Sequence, residues 1–184
     1  DVSDGLPSFT MVGLPSTQVK EAQDRVRTAL KNNGIALPPK RITVNLAPAD
    51  IRKEGAGFDL PLAAAVLAAA GVLSAEQLGN VMMAGEIGLN GEIHAVSGIL
   101  PMIIRAREEK CRFCVVPYDN LKEAHLIPDM KVIGVADLQE MIRYVSAPDS
   151  YKKAVETGKK SPQENSVDFC EIHGQESLKR AVEI

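Results

Sequence analysis

The sequence predicts a mixed α/β domain in which strands and helices alternate, and three observations carry the prediction. Short runs with apolar side chains at every second position are interleaved with longer stretches in which they recur every third or fourth. An Asn-Gly pair between two strand-like runs signals a hairpin, because both residues tolerate positive φ. The longest apolar stretch, Leu60 to Leu73, is broken by Pro61 and Gly71 and is shorter than the roughly 18–20 residues that cross a bilayer, so it reads as a core helix.

Ser8 to Val12 is the first strand-like run, and Gly13-Leu14-Pro15 ends it before Ser16, a good N-cap. Val19, Ala22, Val26, Ala29 and Leu30 then share one helical face, Glu21 is spaced to pair with Arg25, and Gly34 supplies the stop. Pro38-Pro39 forces an extended entry to a half-buried strand of Ile42, Val44 and Leu46. A loop rich in Pro and Gly follows, with Asp59 placed to cap the Ala-rich helix that runs to about Ala70. Val81 to Glu86 and Glu92 to Val96 form the expected hairpin around Gly88-Leu89-Asn90-Gly91. Ile99, Met102, Ile103 and Ala106 mark a helix, and Phe113 to Val116 a short buried strand. Asn120 with Glu123 reads as a capping box for a brief helix that Pro128 closes. Lys131 to Val135 is the next strand, and Asp137 with Glu140 caps a helix striped by Leu138, Met141, Ile142 and Val145.

The chain has 184 residues, within the roughly 100–200 of one domain. With 45% hydrophobic and 24% charged residues it is neither a disordered chain nor a disulfide miniprotein. A net charge of -3, from 21 basic and 24 acidic residues, produces no global field that would select nucleic acid or membrane, so such a partner needs a local patch. Asp1-Val2-Ser3-Asp4 lacks the basic and apolar regions of a secretory signal, and three cysteines do not make a disulfide framework, so a reducing cytoplasm is expected. The α/β domain is assigned to residues 1–146, a polar, Lys-rich linker to 147–166, and the beginning of another module to 167–184, where Leu178, Ala181 and Val182 start a helix. A truncated piece of a larger protein is the expectation.

Cys111 and Cys114 with Cys170 and His173 have a zinc-like spacing, but residues three apart on a strand face opposite ways, so buried core thiols are the preferred reading and no metal is assigned. The loop from Pro48 to Asp59 could suit an anion or be purely structural; it is not a phosphate loop. His94 and His125 have no spaced metal or triad partners and are taken as bystanders. Arg25, Arg27 and Lys31 cluster on the first helix, with Lys40, Arg41, Arg52 and Lys53 nearby in sequence; they read either as a solvated face or as phosphate contacts to DNA.

Several long segments carry a resemblance. Val12-Gly13-Leu14-Pro15, Arg25-Val26-Arg27, the run from Lys40 to Asp50 and Phe58-Asp59-Leu60-Pro61 resemble the amino-terminal domain of the magnesium-chelatase-like AAA+ ATPases, the family of ComM and YifB. The resemblance implies that Ile172, His173 and Gly174 belong to an adenine-side segment leading into the ATPase module. It also implies ATP and Mg²⁺ for the full-length parent, none of them held by this chain, and a homo-hexamer that works on DNA in branch migration, with no membrane partner. The run from Ala84 to Ile93, followed by Ser97-Gly98-Ile99, is further similar to the peptidase domain of Lon, which implies a Lon-like, ribosomal-protein-domain-like fold. Lon-type peptidases use a Ser-Lys pair. Here Gly57 falls at the serine position and Leu100 at the lysine position, so a non-catalytic accessory domain is expected. The competing expectations are a peptidase that uses Ser97 or Ser74 with Lys53, and a magnesium chelatase subunit.

Overall fold

The computed structural model describes residues 1–151, which lie within a compact unit spanning Asp1–Lys152. The adenine-side residues Ile172, His173 and Gly174, the Cys170–His173 half of the zinc-like pattern, the stretch 167–184 and most of the assigned linker lie outside the described residues.

Two three-stranded sheets and a small ribbon organise the unit. Strand β2 (Ser8–Val12) runs parallel to β3 (Arg41–Asn45), with α1 (Thr17–Asn32) between them in the chain, and β1 (Val2–Ser3) pairs antiparallel on the other side of β3. At two residues, β1 is too short to show a period in the sequence. Ser16 caps α1 as expected, its hydroxyl accepting the Val19 N–H, and all five apolar positions assigned to the inner face are buried.

In the second sheet, β4 (Val81–Met83), β7 (Phe113–Pro117) and β8 (Val132–Val135) are all parallel, with β7 central. Every residue of β7 is buried, because both faces of the strand are covered. Phe113 and Val115 enter the main core with α1, α2 (Asp59–Ala69) and α6 (Leu138–Ser146). Cys114 and Val116 enter a second cluster with Ile99 and Ile103 of α4 (Ile99–Glu108) and with Leu121 and Ala124 of α5 (Leu121–Ala124).

The hairpin is real but smaller than expected. Only β5 (Glu86–Ile87) and β6 (Ile93–His94) pair, while Val81–Met83 leaves for the second sheet. Asn32 Nδ2 donates to Leu89 O at 2.8 Å and Asn33 Nδ2 to Asn90 O at 2.9 Å, fastening the turn to the end of α1. Gly91 is required there, since its φ is +92° and a Cβ would stand 2.2 Å from Asn33 Nδ2.

Two local expectations are corrected. Asp59 does not cap α2; it sits in the first turn with its carboxylate turned inward. Asn120 does not cap α5; its amide is drawn to Val96 instead. A short helix with no periodicity long enough to announce it, α3 (Ala75–Leu78), opens on a Ser74–Gln77 capping box. At the far end, the Asp137 carboxylate accepts the Glu140 N–H as expected, but Glu140 reaches back to the Ala136 N–H. Tyr151 packs edge-on against Tyr144, and its hydroxyl accepts the Gly134 N–H at 3.1 Å.

Candidate functional site

Two surface depressions with opposite charge stand out, and a buried ion pair stiffens the scaffold beneath one of them. The first is a cleft of about 450 Å³ between the turn around Gly57 and the segment 95–97, with Phe58, Met83 and Met102 among its apolar lining. Among the described residues, Glu54 and Glu86 are its only charged lining residues. Gly57 opens onto this cleft, and a Cβ there would meet only Val96 Cγ2, at 3.9 Å. Leu100 is half-buried in the first turn of α4, where its N–H donates to Glu123 Oε1 at 3.0 Å.

Beside the cleft, Asp59 has no solvent exposure. Arg25 grips it in a fork, Nε to Oδ2 at 2.7 Å and Nη2 to Oδ1 at 2.9 Å, and the Ile87 N–H adds a third donor at 3.1 Å. These are charge-assisted bonds in a water-poor site, and they tie α1, α2 and β5 together. The hydrogen bond to Asp59 raises the Arg25 pKa above its ordinary value, against the lowering effect of burial. The expected Glu21–Arg25 pair is also present, at a looser 3.7 Å.

The second depression is a groove of about 540 Å³ between the C-terminal half of α1, the start of β2 and the stretch 35–40. Its floor includes Phe9, Ile35, Leu37 and Ile42, and Arg27, Lys31 and Lys40 line it with no acidic residue among the described residues. Three members of the basic set thus meet at one groove, two from α1 and Lys40 from the stretch ahead of β3. Arg41 is exposed on β3. Arg52 is exposed and pairs with Glu54 at 3.0 Å. The other two basic residues are committed elsewhere. Arg25 belongs to Asp59, and Lys53 is only 6% exposed, its ammonium donating to the carbonyls of Pro48 and Ile51. Neither is free for a phosphate, and no sequence spacing signals this, since Arg25 and Asp59 lie 34 positions apart.

Ser97 lines the cleft, but Lys53 does not. Ser74 Oγ accepts the Gln77 N–H within the α3 capping box. Cys114 is a core residue, and burial, with a smaller contribution from Cys111, pushes its thiol up to about 12. Among the described residues no helix is long and apolar enough to cross a membrane.

Comparison with known proteins agrees with this architecture. The chain is 41% identical over 187 residues to competence protein ComM of Haemophilus influenzae, and 39% identical over 183 residues to YifB of Escherichia coli. Both alignments cover 100% of the chain and 36% of the relative, so the chain spans about a third of the length of these curated relatives. A weaker similarity, 27% identity over 128 residues, covers 68% of the chain and 22% of Lon protease 2 of Bacillus subtilis, in keeping with a Lon-like mixed α/β domain. The family model described as subunit ChlI of Mg-chelatase matches residues 1–120. The chain therefore belongs to the magnesium-chelatase-like family that includes ComM and YifB.

Proposed function

We propose that this domain is a non-catalytic binding and assembly module of a larger magnesium-chelatase-like AAA+ ATPase, and that the parent is a hexameric DNA branch-migration helicase of recombination and natural transformation. The observation that carries the reading is the groove where Arg27, Lys31 and Lys40 converge, with no acidic residue among its described lining. Clustered cations bind the nucleic-acid backbone whatever the net charge of the chain. Lys40 pairs with Asp4 at 3.0 Å, but both partners are exposed, and such a screened pair yields readily to a phosphate. Support also comes from the relative named as a competence protein. ATP and Mg²⁺ are assigned to the parent's ATPase module, because no Gly-x-x-x-x-Gly-Lys-Ser/Thr loop occurs within these 184 residues.

A peptidase reading with Ser97 or Ser74 and Lys53 is weighed down by the Lys53 ammonium, which is directed onto two carbonyls, and by Gly57 at the position aligned with the Lon serine. A chelatase subunit is a third reading, carried by the family description alone. The deciding experiment measures affinity of the full-length parent for branched DNA. The variant Lys31→Glu/Lys40→Glu is expected to bind about tenfold or more weakly; unchanged affinity would overturn the assignment.

A further inference from the structure

We propose that the cleft between Gly57 and residues 95–97 captures an extended, cationic peptide segment by main-chain pairing, without cutting it. The inference does not depend on the DNA reading, because it concerns the other depression and a ligand of opposite charge. It starts from Asn120. The side-chain amide of this buried residue takes both main-chain groups of Val96, accepting its N–H at 3.0 Å and donating to its carbonyl at 3.0 Å. Asn120 thereby mimics a neighbouring strand on one side of the segment. In a trans peptide unit the N–H is directed opposite to the carbonyl, so the Ser97 N–H, at the start of the turn into α4, is aimed away from Asn120, as are the main-chain groups of Ala95 in the extended chain ahead of Val96. Both are exposed, both line the cleft, and among the described residues nothing accepts a hydrogen bond from either N–H. They form a short open edge of the kind to which a peptide adds as a strand.

The lining then selects the occupant. Alternate side chains of an added strand face the cleft, where Phe58, Met83 and Met102 offer an apolar surface. Glu86 and Glu54 provide negative charge, and among the described residues no lysine or arginine lines the cleft, although Arg52 pairs with Glu54 from outside it. Glu54 is shared with Arg52, an exposed pair, whereas Glu86 acts on Arg25 at longer range and makes no salt bridge among the described residues. An apolar segment carrying Lys or Arg fits this lining, and a nucleic-acid strand does not.

The test titrates a fluorescein-labelled peptide of alternating Val and Lys with the full chain and follows anisotropy. Saturable binding is expected, with the Asp-for-Lys peptide at least about tenfold weaker. Methylating one alternate set of peptide amides should weaken binding by about tenfold, and methylating the other set should leave it nearly unchanged, because only one set faces the edge. Ser97→Pro, which removes one edge donor, should lose affinity while Ser97→Ala retains it; the peptide-side methylations keep the test valid should Ser97→Pro fold poorly. Absence of saturable binding, equal loss from both methylated sets, or a loss caused by Lys31→Glu/Lys40→Glu would overturn the proposal. That last outcome would place the peptide in the basic groove, whereas failure of DNA binding alone leaves this cleft untouched.

Discussion

Replacing Arg25 with methionine isolates the interaction on which the scaffold depends most. The substitution keeps the length and much of the apolar stem but removes the fork that holds Asp59, leaving a carboxylate of 0% exposure with a single remaining donor, the Ile87 N–H. Breaking a buried pair from one side typically costs about 3–5 kcal/mol, against about 0–1 kcal/mol for an exposed pair. Arg25 retains 23% side-chain exposure, so the lower part of the buried range, about 3 kcal/mol, is expected. Asp59→Asn alone should cost less, since Arg25 can turn its freed donors toward water. In the double variant no charge is stranded in the core, so its loss should fall short of the sum of the single losses by about 1–2 kcal/mol. Urea unfolding read by circular dichroism measures all four proteins, with a constant m-value as the check on two-state behaviour. A loss below about 1 kcal/mol for Arg25→Met, or strict additivity in the cycle, would refute the reasoning.

Three further outcomes test other parts of the account. The Cys114 thiol is raised from 9.0 to about 12 in the folded state, so its contribution to stability is complete below about pH 9 and is lost as pH climbs toward 12; Cys114→Ala should flatten that decline in alkaline unfolding curves. Gly91→Ala forces a side chain onto the Asn33 amide at a φ of +92° and should cost about 2–3 kcal/mol in the same assay, where a neutral result would contradict the tight fastening of the hairpin to α1. Gly57→Ser should fold normally, its Cβ meeting only Val96 at 3.9 Å, yet acquire no casein hydrolysis, because the aligned lysine position still holds Leu100; hydrolysis by this variant would revive the peptidase reading.

Period and punctuation made most of the fold legible. The apolar face of α1 and its Ser16 cap, the paired walls of β2 and β3, and the all-buried β7 follow from local spacing that the core then honours. What stayed hidden depends on partners distant in the chain. Asp59 looks like a helix cap until Arg25 arrives from α1, and Asn120 looks like another until Val96 presents both its main-chain groups. In each case a side chain with a plausible local use finds a stronger one across the fold, where a buried main-chain or charged group would otherwise go unpaired. The same effect divided the basic set. Arg27, Lys31 and Lys40 reach one groove because β2 and the stretch 35–40 flank α1, whereas Lys53 folds its ammonium inward onto carbonyls. The cleft carried one sequence signal, the glycine at position 57, and its open edge at residues 95–97 carried none.

The salt dependence of DNA binding tests the central claim most directly. The full-length parent and its Arg27→Gln/Lys31→Gln/Lys40→Gln variant are titrated against the same DNA at several ionic strengths, and log K is plotted against log salt. Each neutralised phosphate contributes about 0.7–0.9 to the slope, so loss of one groove's three cations should make the plot shallower by about 2–3, with weaker binding at low salt. Parallel plots of equal affinity would show that the groove does not hold the backbone, and the domain's assignment as a DNA-binding module would fall.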